Sequence, residues 1–195
     1  MTRSSNPNFS ICVYCGSRPG NKQCYSDAAQ DLGTWIGENG GQLVYGGGKN
    51  GLMGEVAKAT LGAGGRVIGV IPQSLVEREW ANEKCSELHI VQTMHERKQL
   101  MSEKSDAFLA LPGGIGTFEE LFEIWTWRHL GYHNKPIGVL NTKGFYDPLL
   151  KFLEKVHDEN FLTDLQMDLM ITGTEVKLLM NQLLGNIIPK KLNSS

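Results

Sequence analysis

The stretch LALPGGIGTFEEL, residues 109–121, decides how this chain is read. An apolar run stops at Pro112. Gly113, Gly114 and Gly116 follow, then Thr117, then Glu119 and Glu120 in what the pattern predicts to be a helix. Glycine lets a ligand approach the backbone with no Cβ in the way. The free N–H groups of a first helical turn, backed by the positive end of the helix dipole, suit an anion. The stretch therefore predicts a phosphate cradle, with the Thr117 hydroxyl as a further donor and a carboxylate beside it. A tight strand-to-helix turn with no ligand is the competing reading.

Outward from that turn, short apolar runs alternate with amphipathic stretches. ICVYC (11–15), QLVY (42–45), RVIGVI (66–71), AFLAL (107–111) and PIGVL (136–140) are strand candidates, and LHIV (88–91) adds a shorter one. They are almost continuously apolar, as strands covered on both faces are. Helices are predicted at 26–39, 52–61, 94–104, from Thr117 to about Leu130, at 146–160 and at 175–184. Several end at glycines, a stop signal. Such alternation predicts an α/β fold, one open parallel sheet with helices on both faces. One domain over residues 9–188 is expected, with a disordered lead-in at 1–8 and a flexible tail at 189–195.

Composition excludes several classes. Hydrophobic content of 41% and charged content of 21% over 195 residues suit one globular domain. A net charge of −2 gives no reason to expect a nucleic-acid or membrane partner. The segment MTRSSNPNFS lacks the apolar core of a signal peptide, so a cytoplasmic protein with reduced thiols is expected. Cys12 and Cys15 form a C-x-x-C, but on a strand, where residues three apart face opposite ways. Two buried thiols are expected there, and no metal constellation stands out.

Two more loops share the predicted carboxyl edge of the sheet, where open α/β sheets bind ligands. One is YGGGKNGLMGE (45–55), in which Gly46, Gly47 and Gly48 make a second candidate cradle. The other is GSRPG (16–20). Neither the Walker pattern nor the Rossmann G-x-G-x-x-G is met, so an ATPase or a dehydrogenase is unsupported. In MHERKQLM (94–101), Met94, Arg97 and Met101 share one helical face. Arg97 between two methionines either snorkels along its stem or reaches an anion. Glu120 also has two readings, since Thr117-Phe118-Glu119-Glu120 matches a capping box. Trp125 and Trp127, two apart on one helix, cannot both face one core by spacing alone. One is expected on a partner surface, which suggests a homodimer.

PGGIGTFEE resembles the P-G-G-x-G-T-x-x-E signature of the Lonely Guy (LOG) family of cytokinin riboside 5′-monophosphate phosphoribohydrolases. The resemblance runs from ICVYCGS to about Leu184 and includes VYGGGKNGLMG, VIGVIP, Arg78-Glu79, MHERK and Thr126-Trp127. It implies a Rossmann-like single domain and a homodimer with sites near the interface. It also implies cleavage of an N6-substituted AMP to free base and ribose 5-phosphate. By the family pattern Arg97 and Glu120 are the catalytic pair. Glu79, Lys98, Gly113, Gly114, Ile115, Gly116, Thr117, Phe118, Glu119 and Thr126 match its substrate-binding positions. The family often has Tyr or Phe where Ile115 stands, and VEREWANEKC (76–85) departs from the plant-like sequence, leaving the preferred N6 substituent open.

Cleavage of a ribosyl–purine bond gives the sugar oxocarbenium character, which glycosidases meet with carboxylates. Glu120 is therefore expected to stabilise that cation and orient water, with no metal or organic cofactor. Arg97 anchors the anion or polarises the leaving purine. The rivals are an AMP nucleosidase without N6 preference, a non-catalytic nucleotide or molybdenum-cofactor carrier of the same fold, and a pure interaction protein. A carrier has no need of the Arg97–Glu120 pair.

Overall fold

The computed structural model describes residues 6–76 and 81–185. The expectations for Arg78, Glu79, the first five residues and the tail from 186 lie outside the described residues. Among the described residues seven strands form one sheet: β1 (Ser10–Tyr14), β2 (Gln42–Tyr45), β3 (Arg66–Pro72), β4 (Glu87–Val91), β5 (Ala107–Ala110), β6 (Ile137–Leu140) and β7 (Met170–Gly173). Their spatial order is β4-β3-β2-β1-β5-β6-β7 and every pairing is parallel. The helices are α1 (Gln23–Glu38), α2 (Gly51–Gly62), α3 (Met94–Glu103), α4 (Ile115–His129), α5 (Asp147–Asp158), the short α6 (Asp164–Met167) and α7 (Val176–Leu184).

The expected architecture is met. One face of the sheet packs Ile11, Val13 and Leu43 against Leu32 and Ile36 of α1, Val56 of α2 and Leu183 of α7. The other packs Cys12, Tyr14 and Val44 against Met101 of α3, Ile124 of α4 and Leu153 of α5. Burial on both faces is why the strands read as unbroken apolar runs. Cys12 and Cys15 fall on opposite faces, as the period of two requires.

Three details differ from expectation. β7 and α6 were not foreseen. β7 pairs only with β6 at the sheet edge and its residues are half-exposed or exposed, so it lacks the apolar signature. α6 is a single turn held by a capping box between Thr163 and Gln166. The tryptophan reading is also corrected. Trp125 is buried in the second cluster, and Trp127 packs partly buried against the same cluster. α4 has neighbours on both flanks. Trp125 Nε1 donates to the Gln166 carbonyl on one side, while Trp127 lies with His95, Lys98 and Ser102 of α3 on the other. Trp125 is thus buried and Trp127 half-buried, and neither is exposed. The exposed large side chains nearby are Met94, Phe122, Leu130 and Tyr132.

Candidate active site

Strand order reverses between β1 and β5: α1 leads from β1 to β2 on one side, and β5 pairs on the other. The crevice outside the carboxyl ends at such a switch point is where open α/β sheets bind ligands. A cleft of about 500 Å³ opens there. Cys15 to Gly20, after β1, form one wall; Pro112 to Thr117, Glu119 and Glu120, after β5, form another. Met94 and Arg97 of α3 and Met53 of α2 complete it. The size suits a nucleotide-sized ligand.

α4 begins at Ile115 with Gly114 as its N-cap, and no side chain caps it. This corrects the capping-box reading. Thr117 is already inside the helix and buried, so Glu120 lies beyond the reach of an N-terminal cap. The N–H of Phe118 turns back to the Gly114 carbonyl at 3.2 Å. Those of Ile115, Gly116 and Thr117 precede the first intrahelical bond, as helix geometry dictates. A Cβ built on Gly114 or Gly116 would meet nothing within 4 Å, so the mouth of α4 is open. Gly113 is different: a Cβ there would collide with Thr117 Oγ1 and stand 2.9 Å from the Gly16 nitrogen. Gly113 is needed for the turn and its neighbours for access.

Arg97 and Glu120 line this one cleft. Arg97 is only 5% exposed. Its Nη2 donates to the Gly46 carbonyl at 3.0 Å, and its Nη1 lies 3.8 Å from Met94 Sδ. Arg97 thus does not snorkel to solvent; a backbone oxygen 51 residues away receives its Nη2. Glu120 is half-buried. Burial pushes the Cys15 thiol far above its ordinary value, and the Glu120 carboxylate adds to the effect. Cys12 is raised in the same way, with Arg97 opposing. Glu120 is therefore felt at both thiols and Arg97 at Cys12, while Cys15 lines the cleft.

The second glycine loop is occupied by the protein itself. Gly46, Gly47 and Gly48 are buried and lie outside the residues lining the cleft. The Gly46 carbonyl takes Arg97, the Gly47 carbonyl accepts from the Asn82 N–H at 2.8 Å, and Gly48 bridges to Ala81. The first-turn amides of α2, Leu52 and Met53, donate to the Gly16 carbonyl at 3.0 and 3.3 Å. Gly46 serves another need, since a Cβ on it would overlap Arg97 Nη2.

Of the other expected residues, Lys98 and Thr126 are not among those lining the cleft. Lys98 Nζ donates to Glu119 at 2.6 Å and Glu123 at 2.9 Å. Thr126 is exposed, and its hydroxyl donates to the Phe122 carbonyl at 2.7 Å. Phe118 packs edge-on to Tyr146, centroids 6.1 Å apart, as part of the core. Arg18 was not singled out by spacing, yet it lines the cleft beside the mouth of α4. His133 accounts for both ring nitrogens with the Ile124 carbonyl and the Lys135 N–H. Among the described residues there is no cluster of three or more metal-ligating side chains.

A family profile described as "Possible lysine decarboxylase" matches residues 53–183. A curated relative from Arabidopsis thaliana, cytokinin riboside 5′-monophosphate phosphoribohydrolase LOG2, is 48% identical over 92% of this chain and 84% of its own length. The rice protein cytokinin riboside 5′-monophosphate phosphoribohydrolase LOG, from Oryza sativa subsp. japonica, is 53% identical over 79% of this chain and 64% of its own. Among solved structures, the molybdenum-cofactor carrier protein of Chlamydomonas reinhardtii superposes with a TM-score of 0.68 at 23% identity, covering 93% of this chain and 99% of that one. The molybdenum cofactor binding protein of Rippkaea orientalis gives 0.70 at 20% identity, covering 95% and 99%. At such identities the two carriers speak for the fold alone.

Proposed function

Because the chain belongs to the family of the cytokinin riboside 5′-monophosphate phosphoribohydrolases, we propose that it hydrolyses the N-glycosidic bond of N6-substituted adenosine 5′-monophosphates to free base and ribose 5-phosphate. The observation that carries this reading is the uncapped, open first turn of α4 in a cleft that also holds Arg97 and Glu120. The phosphate sits on the amides of Ile115, Gly116 and Thr117, with Arg18 as a second cation. Binding energy gained at that remote group then orients the sugar.

Glu120, a turn beyond those amides, faces the ribose. Its carboxylate stabilises the oxocarbenium-like sugar and orients the attacking water, taking a proton from it. The water oxygen bonds to the anomeric carbon as the bond to the purine nitrogen breaks; that electron pair leaves with the base, which takes up a proton. Arg97, held by the Gly46 carbonyl, supplies fixed positive charge beside the departing purine. No step calls for a metal or organic cofactor. The pyridoxal phosphate that a lysine decarboxylase uses needs a lysine for its Schiff base. Among the described residues no lysine lines the cleft, so that group does not fit here.

The same reading includes a homodimer in the cytoplasm. Its support is the exposed apolar set Met94, Phe122, Leu130 and Tyr132 on and beside α3 and α4, with Thr126 on the outer side of α4. A dimer across that face would bring Thr126 toward the partner's cleft. Among the described residues no helix is long and apolar enough to cross a membrane.

The decisive experiment incubates the protein with isopentenyladenosine monophosphate and AMP in parallel and follows release of the free bases by chromatography. Faster release from the substituted nucleotide is expected. Equal rates favour a general AMP nucleosidase, and no release from either defeats the hydrolase reading. Light scattering at micromolar concentration tests the dimer.

A further inference from the structure

A second pocket, of about 530 Å³, opens on the same carboxyl edge and shares no lining residue with the reacting cleft. The loop after β6, the head of α7 and the first half of α1 enclose it. Its wall toward the cleft is the edge-on pair Tyr25 and Phe145, centroids 5.7 Å apart. Those two rings line the cleft, while their chain neighbours Cys24 and Gly144 line the second pocket. α7 begins at Val176 with no side-chain cap. The Leu179 N–H donates to the Glu175 carbonyl at 3.0 Å, so the amides of Val176, Lys177 and Leu178 precede the first intrahelical bond. Thr142 lines the same pocket and is 8% exposed, and among the described residues its hydroxyl has no partner. A buried hydroxyl left so is costly unless something bonds it. Lys143, also on the wall, holds a left-handed φ of 50° that lysine seldom adopts. Lys143 and Lys177 bring two ammonium groups to the pocket, and Asp27, Asp31 and Glu175 bring three carboxylates. Among the described residues none of the five belongs to an ion pair. That sum of charges disfavours a bare anion. Asp27 and Asp31, four apart, share one face of α1.

We propose that this pocket binds a small amphoteric molecule, with an oxyanion at one end and an ammonium group at the other. The oxyanion takes the first-turn amides of α7, the Thr142 hydroxyl and the two lysines. The ammonium group lies against Asp27 and Asp31. Aminoalkyl phosphates and diamino carboxylic acids carry this chemistry. Glu175 adds to the negative charge that keeps bare anions out. The site stands apart from the hydrolase reading, since none of its residues takes part in that reaction.

Cys24 reports on the pocket, because it lines it and is only partly buried. The test follows alkylation of Cys24 in the full chain by iodoacetamide, read by peptide mass spectrometry. Phosphoethanolamine or lysine at about 10 mM should slow it about fivefold or more, and phosphate or ethanolamine alone less than about twofold. The stronger of the two amphoteric probes tells a phosphate head from a carboxylate head. Protection should persist with AMP present, because the pockets share only a wall. Thr142→Val keeps the shape and removes the hydroxyl, so the melting temperature should hold or rise while protection is lost. Lys143→Asn suits the left-handed backbone and should fold as well as the parent, again without protection. The double variant Asp27→Asn/Asp31→Asn removes the ammonium seat and should lose protection too. The proposal is overturned if neither amphoteric probe protects, if phosphate alone protects as well, or if AMP competes. Unchanged protection in any of the three variants overturns it equally. Base release plays no part in this readout, so failure of the hydrolase reading and failure of this site are told apart.

Discussion

The two glycine-rich turns after β2 and β5 look alike on paper and do opposite work. Each runs strand, glycines, helix. After β2 the protein itself engages the loop: Arg97 and Asn82 donate to the Gly46 and Gly47 carbonyls, and the first α2 amides donate to Gly16. After β5 the helix mouth is uncapped, and space stands open above Gly114 and Gly116. Glycine spacing announces a turn. Where the amide hydrogens go decides whether that turn is a joint or a site.

The largest effect expected falls on the open turn's carboxylate. Glu120→Gln should lower kcat by about a thousandfold with little change in KM, measured by steady-state base release. Undiminished turnover would remove the chemistry from the β5 side altogether. Next comes the closed turn. Gly46→Ala forces a methyl into Arg97 Nη2, so about a hundredfold loss of kcat/KM is expected, with a lowered melting temperature, although Gly46 is not among the residues lining the cleft. If stability falls while activity holds, Arg97 is not part of the machinery.

Gly116→Ala sharpens the contrast from the other side. A methyl there meets no protein atom and improves helix propensity by roughly 1 kcal/mol. The melting temperature should hold or rise, while KM for the nucleotide increases about tenfold because the phosphate loses its close approach. Equal behaviour of Gly46→Ala and Gly116→Ala would erase the distinction between the turns.

The smallest effect near neutral pH concerns the floor beneath both turns. Burial, first, raises Cys12 and Cys15 far above their ordinary value of 9.0, with Glu120 adding to both. Tyr14 is raised well above 10.0, again chiefly by burial. Each group binds its proton more tightly folded than unfolded. Their contribution to stability is therefore complete below pH 9 and falls as the pH climbs above it. Urea midpoints should be flat from pH 7 to about 8.5 and drop beyond. A midpoint rising with pH in that range would contradict the buried floor.

Much of this was legible beforehand. The central strands announced themselves because burial on two faces leaves no polar alternation, and Cys12 and Cys15 were assigned to opposite faces by the strand period alone. The family was legible in PGGIGTFEE with MHERK. β7 was hidden because Met170–Gly173 at a sheet edge carries no apolar run. The helix start was misplaced because two signals compete: Thr117 looks like a cap, but the turn at Gly113 lets the helix begin at Ile115. The seat of Arg97 on Gly46 and the partners of Lys98 were beyond any local reading, since 51, 21 and 25 residues separate them. Such contacts are set by packing and leave no spacing to read.

A single residue ties the edge together. Gly16 donates to the Pro112 carbonyl at 3.1 Å, and its own carbonyl receives Leu52 and Met53. The tips of β1 and β5 and the head of α2 consequently form one cooperative unit. Deuterium should enter the amides of Gly16, Leu52 and Met53 at a common rate, and slowly, as when a keystone must fall before any of the arch can open.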